Sequence, residues 1–174
     1  HTVTATATDS GDKTGSDSID ITVGSVSNQV VPSGVKRIGA DTVAETGTGV
    51  GVAIVDSGID FGHSDIDDNL APECFFDPSV GSSCQDDAGH GTHVAGIVAA
   101  EDNSADVVGV APGATVYAVK VLDSNGDGTD ESVISGLEWV AQNATNVVPA
   151  IRLVNMSLGR PKAPDPADDV AIYN

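Results

Sequence analysis

The chain has 174 residues, enough for one domain with a substantial core, and 40% of them are hydrophobic. Acidic side chains number 26 against 7 lysines and arginines, a formal net charge of -19. A field of that sign repels nucleic acid and anionic lipid and suits a soluble protein in salty or calcium-containing surroundings; no apolar run is long enough to span a membrane.

Residues 1–23 differ in kind from the rest. Val3, Ala5 and Ala7 alternate with threonines, and Ile19, Ile21 and Val23 alternate with Asp and Thr. The stretch from Asp9 to Ser16 between them is rich in turn formers, so the segment reads as a hairpin with one half-buried face. It resembles the last two strands of immunoglobulin-like modules; the other reading is a Thr/Ser-rich disordered linker. Residues 1–24 are accordingly expected to be the end of an immunoglobulin-like β-domain or a linker, with Gly24-Ser25-Val26-Ser27 as the join and a second unit over 28–174.

Residues 28–48 are mixed, punctuated by Pro32, Gly34, Gly39 and Gly47. Val50 to Val55 is a continuous apolar run that ends at Asp56, the pattern of a buried parallel strand presenting a polar side chain at its carboxyl end. Residues 57–85 are loop-rich and hold both cysteines, Cys74 and Cys84. A local disulfide pinning a surface loop is one reading and two free thiols the other. The polar stretch Asp86-Asp87-Ala88-Gly89 runs into His90, and an apolar helix with a buried body is expected through Ala100. Ala114–Leu122 reads as a strand and Asp123–Thr129 as a Gly/Asp loop. Asp130–Asn143 reads as a helix with Val133, Leu137, Val140 and Ala141 on one face, and Ile151–Met156 as a core strand. Strand, helix, strand, helix, strand calls for an α/β fold: a parallel sheet flanked by helices, with right-handed crossovers. Asp165 and Pro166 suggest the start of another helix, and with no initiating methionine the chain reads as a piece of a longer protein.

In open α/β sheets, sites are built at the carboxyl ends of strands. Asp56 and His90 are therefore the pair to explain. A carboxylate at a strand end and an imidazole at a helix start can form a couple in which the acid fixes the tautomer and the imidazole deprotonates a nucleophile. A histidine that merely begins a core helix is the alternative.

The context of these two residues is more specific. Asp56-Ser57-Gly58, followed by His90-Gly91-Thr92-His93-Val94-Ala95-Gly96, closely resembles the subtilisin-like serine peptidases, the subtilases. The likeness extends over roughly 28–174 and includes Gly109-Val110-Ala111-Pro112, Val119-Lys120-Val121-Leu122 and Asn155-Met156-Ser157-Leu158-Gly159. It implies a subtilisin-like fold, incomplete in this stretch, and a secreted endopeptidase acting on protein or peptide substrates. Asp56 would be its orienting acid and His90 its general base. Gly89 and Gly91 are expected to let backbone pass beside the imidazole, and Gly96 to let the helix pack tightly. His93, one turn on, is expected to be structural.

The resemblance also implies that substrate pairs as an extra strand between Ser157-Leu158-Gly159 and Gly126-Asp127-Gly128. Asp130 would line a distal pocket and favour basic or polar substrate side chains. A structural Ca²⁺ is implied near Gln29, Asp65 and the loop Glu101–Val107, with Glu101, Asn103, Ala105 and Val107 as further ligands through side-chain or main-chain oxygens. Asp123–Gly128 resembles the start of an EF-hand loop, but Ile134 stands where the bidentate Glu is needed, so it reads as a solvated turn. Asn143-Ala144-Thr145 and Asn155-Met156-Ser157 fit the glycosylation pattern, the second on the expected core strand.

No G-T-S-M-A-like stretch for the nucleophile occurs in the 174 residues. Asn155 is not the oxyanion asparagine of the family pattern. The expected activity thus belongs to a longer parent and the piece alone is expected to be inert. How such a parent is matured is left open, since the hairpin stands where the family's pro-segment is expected. Two rivals remain: a non-catalytic surface or binding module on the same fold, and a metal site at Asp86, Asp87, His90 and His93. The second lacks the glutamate that helical zinc sites carry between their histidines.

Overall fold

In the computed structural model, residues 2–8, 10–11, 14–20 and 28–160 are described. The expected 24–27 join and the helix start at Asp165 lie outside them. Strands β1 (Thr2–Thr8) and β2 (Thr14–Asp20) pair antiparallel into a two-stranded sheet, in a register that runs from Thr2 opposite Asp20 to Thr8 opposite Thr14. The second strand starts earlier than its apolar alternation suggests. Backbone pairing carries on through Thr14, Gly15 and Ser16, which composition alone assigns to the turn.

The larger unit is a four-stranded sheet in the order β4-β5-β3-β6, parallel throughout. Its strands are β3 (Gly51–Asp56), β4 (Phe75–Phe76), β5 (Thr115–Lys120) and β6 (Ile151–Asn155). A short helix α1 (Ser33–Arg37) precedes it, inside the stretch that the sequence leaves mixed. Helices α2 (His90–Ala99) and α3 (Asp130–Asn143) form the crossovers. Every residue of β3 is buried, so it needs no polar face, and alternate side chains feed two cores. Val52 and Ile54 pack with Val94, Ala95 and Ala99 of α2, while Ala53 and Val55 pack with Val133 and Val140 of α3. The result is three layers, with one helix on each face of the sheet.

Three expectations change. The body of α2 is only half-buried: Val94, Ala95 and Ala99 face the sheet, while His93 is exposed and Ile97 is 54% exposed. On α3, Gly136 and Ser132 complete the buried face and Ala141 is exposed, because the sheet-facing row advances by three or four residues from Val133 to Gly136 to Val140. β6 is not a core strand among the described residues but an edge, with Leu153 59% and Val154 44% exposed.

Cys74 and Cys84 form a disulfide that closes the loop between them. Gly51 allows β6 to approach, since a Cβ there would lie 2.8 Å from the Ala150 carbonyl oxygen. No described helix is long and apolar enough to cross a membrane.

Candidate active site

β5 lies on one side of β3 and β6 on the other, so the chain's path reverses at β3. Ligand clefts form outside the carboxyl end of such a strand, and Asp56 is the residue at that end. Its carboxylate is fully buried. Oδ1 accepts hydrogen bonds from the Ser57 amide at 2.7 Å and meets His90 Nδ1 at 2.7 Å. Oδ2 is buried and takes no hydrogen bond from the described residues. The His90 side chain is 52% exposed, so one edge of the ring is gripped and the other is open.

Close approach of helix and strand makes this geometry possible. A Cβ on Gly91 would lie 2.1 Å from the Gly58 carbonyl oxygen and 3.2 Å from Asp56 Cβ. Gly89 acts differently from expectation: nothing crowds it, and its role is the left-handed φ of 86° with which the chain enters α2. Gly96 faces open space; Gly109 makes the tight contact instead, its would-be Cβ lying 2.6 Å from the Ala100 amide nitrogen.

With glycine as the residue before α2, no side chain at that position caps the helix. Asp86 supplies the missing acceptor. Its Oδ1 takes the amides of Ala88 (3.0 Å) and Gly89 (2.9 Å) and the Ser57 hydroxyl (2.9 Å), and its Oδ2 takes the Thr92 amide (2.9 Å) and hydroxyl. Burial pushes the Asp86 carboxyl up, but the hydrogen bonds from Thr92, Gly89 and Ala88 outweigh it and hold the group below the usual carboxylate range. The Ser57 hydroxyl also accepts from the Gly91 amide at 2.9 Å. Ser57, Thr92 and Lys120 are residues around the couple to which the sequence alone assigns no role, and Asp86 enters it only as a candidate metal ligand. The one available signal is an aspartate six residues before a threonine across a helix start.

The metal reading of Asp86, Asp87, His90 and His93 fails on geometry. Asp86 caps the helix, Asp87 pairs with Lys120 at 2.6 Å, His90 faces Asp56, and His93 opens onto a separate pocket beside Ile38 and His63. Among the described residues, no three His, Cys, Asp or Glu side chains group as a metal site.

A cleft of about 1050 Å³ opens beside His90. Gly126, Asp127, Gly128 and Asp130 line one part of it, and Ser157, Leu158, Gly159 and Arg160 another. Asp130 and Arg160 form an ion pair at 3.2 Å. Thr129 caps α3 in a reciprocal box with Ser132, which places Asp130 in the first turn. The Asp123 loop is a turn closed on itself: Asp123 Oδ1 accepts from the amides of Asp127 and Asn125, which hold its carboxyl below the usual range.

Gln29, Asp65 and the 101–107 loop also come together. Gln29 Nε2 contacts the carbonyl oxygens of Glu101 and of Val107, the latter at 3.1 Å. Asn103 Nδ2 contacts Asp65 Oδ1 at 3.3 Å, and the Val107 amide donates to Asp65 Oδ2 at 3.3 Å. Asn103 Oδ1 accepts from the Ala105 amide at 2.9 Å. The Glu101 carboxylate is engaged elsewhere, accepting from the Asp68 amide. Oxygen atoms of Glu101, Val107 and Asp65 thus gather about the amide nitrogens of Gln29 and Asn103, while the Gln29 Oε1 accepts from the Ser104 amide at 3.3 Å.

A family model described as the Subtilase family matches residues 47–174. The chain is 46% identical over 136 residues to Subtilisin E of Bacillus subtilis (strain 168), covering 76% of this chain and 34% of that protein. It is 46% identical over 136 residues to Subtilisin of Bacillus pumilus (76% of this chain, 46% of that protein). Against Subtilisin Savinase of Lederbergia lenta it is 45% identical over 136 residues, 76% of this chain and 47% of that protein. The chain therefore spans about a third to a half of the length of these relatives. On the match of residues 47–174, the chain belongs to the subtilase family of peptidases.

Proposed function

We propose that residues 28–174 are the N-terminal part of the catalytic domain of a secreted serine endopeptidase, with residues 1–24 the end of an immunoglobulin-like β-module. The observation that carries the reading is the 2.7 Å contact between buried Asp56 and half-exposed His90 at the edge of a cleft. With Nδ1 held by Asp56, Nε2 is left to take the proton of a serine hydroxyl, and the buried carboxylate stabilises the imidazolium that forms. The serine and the oxyanion donor come from sequence beyond these 174 residues, so the piece alone is inert.

Substrate would lie extended between Gly126–Gly128 and Ser157–Gly159, whose backbone can pair with it as an added strand. Asp130 gives the distal part of this cleft a negative group, but Arg160 already meets it. A basic substrate side chain there competes with an internal guanidinium.

The Gln29, Asp65 and 101–107 cluster fits Ca²⁺: one carboxylate from Asp65, amide oxygens from Gln29 and Asn103, and main-chain oxygens around the loop. The ion would tie the loop after α2 to the segment before α1 and take no part in bond cleavage.

The test is labelling of the full-length protein with a serine-directed fluorophosphonate. Labelling that is lost in His90→Ala and survives a chelator supports a serine peptidase. A folded, unlabelled wild-type protein makes the chain a non-catalytic binding module instead.

A further inference from the structure

Lys120, the last residue of β5, is 1% exposed. Burying an ammonium is costly, and an apolar side chain at the same place is often at least as stable, so a buried lysine calls for a reason. Its register gives one. Lys120 stands opposite Asp56 in the parallel pair of β5 and β3, on the last rung before both strands end.

Two partners take its ammonium. Lys120 Nζ donates to the Ser57 carbonyl oxygen at 2.6 Å and to Asp87 Oδ1 at 2.6 Å. Ser57 directly follows Asp56, and Asp87 lies three residues before His90. One cation therefore ties the segment that carries the acid to the segment that carries the base. The stem is held as well. A Cβ on Gly81, inside the disulfide loop, would lie 2.8 Å from Lys120 Cε, and the Lys120 carbonyl accepts from the Asp77 amide at 2.9 Å.

The effect reaches the couple through Ser57. The Ser57 amide donates to the same Asp56 oxygen that meets His90, and its hydroxyl joins Asp86 to the Gly91 amide. With the Ser57 carbonyl clamped by Lys120, both ends of this residue are fixed, and so is the oxygen that aims the imidazole. We infer that Lys120 is a positioning residue: through the Ser57 carbonyl and Asp87 it sets the relative placement of Asp56 and His90. The inference rests on the peptidase reading, and it assigns the buried ammonium to geometry rather than to contact with substrate.

The experiment uses the full-length protein with Lys120→Met, Asp87→Asn and the double variant, beside Val119→Ala as a stability control. Val119 is buried on the same strand but packs towards α3, away from the couple. Steady-state peptide hydrolysis is read together with the low-field proton signal of the His90 Nδ1–H. Lys120→Met is expected to lower kcat about 10- to 100-fold with KM within about twofold, and to shift or broaden that signal. Asp87→Asn is expected to act in the same direction, and the double variant to lose less than the two single losses multiplied. Val119→Ala should lower the melting temperature and leave kcat and the signal unchanged. If Lys120→Met does not fold, Asp87→Asn carries the test, because Asp87 is half-exposed and Asn keeps its shape. Wild-type kcat and an unmoved signal in whichever of the two is folded overturn the positioning role. Absence of hydrolysis by the wild-type protein overturns the peptidase reading instead, while the proton signal still reports on the clamp.

Discussion

The Gly91 α-carbon faces the carbonyl oxygen of Gly58 so closely that any Cβ at position 91 would lie 2.1 Å from it. That contact brings the first turn of α2 against the end of β3, where Asp56 meets His90. Gly91→Ala must push the helix away or twist the strand end. It is expected to destabilise the fold by about 2 kcal/mol, within the range for overpacked sites. It should also reduce kcat of the full-length protein by more than tenfold. Thermal melts and peptide hydrolysis check the two parts, and near-wild-type kcat would show that the couple does not need this approach.

Asp86 makes a prediction with a defined pH direction. Its carboxyl is held below the usual range in the folded state, so its contribution is present above its unfolded pKa and lost as pH falls through the folded one. Asp86→Ala should cost about 1 kcal/mol at neutral pH, the scale of a lost helix cap. The gap between variant and wild type should then narrow as the solution is made acidic. Denaturant melts across that range measure it; a gap that widens in acid contradicts the role.

The Cys74–Cys84 bridge closes a short loop, with a separation of 10 residues, that packs over the Lys120 stem. Cys74→Ala with Cys84→Ala is expected to lower stability by about 2 to 3 kcal/mol through the freed unfolded chain. Denaturant unfolding of the oxidised protein and of the double variant gives the difference directly.

Calcium is tested by melting the full-length protein with the ion and with a chelator. At a hundredfold excess over its dissociation constant, the ion should add about 2.7 kcal/mol. Asp65→Asn should remove most of that increment, read as the difference between calcium and chelator within the variant. Equal melting temperatures in calcium and chelator would dismiss the site.

The ion pair of Asp130 and Arg160 sits across the distal cleft, and as a partly exposed pair it should contribute less than about 1 kcal/mol to stability. Its consequence is for selectivity. Arg160→Ala should raise the preference for a lysine over an uncharged side chain at that subsite severalfold at low salt, an effect that fades as salt screens it. Matched peptide pairs differing only at that residue measure the ratio.

Much of this arrangement is legible in the residues. The apolar run of β3 ending at Asp56 and the helix opening at His90 follow from hydrophobic patterning, and the alternation of strands and helices gives the parallel sheet. What is not legible is set by tertiary approach. The sequence marks Gly96 for tight packing, yet in the fold it is Gly109 that meets backbone. Lys120 ends a strand whose buried run Val116 to Val119 is mostly aliphatic, and its burial depends on Ser57 and Asp87, which lie 63 and 33 residues away along the chain. β6 reads as a core strand because it is apolar, but its neighbours among the described residues cover only one edge.

Asp56 is proposed to ready His90 to deprotonate a serine. The most direct measurement is the rate of fluorophosphonate labelling of the full-length protein, wild type against Asp56→Asn and His90→Ala. Labelling of the wild type at a single serine is expected, slowed by about two to four orders of magnitude in each folded variant. Labelling at the wild-type rate in both variants would contradict it.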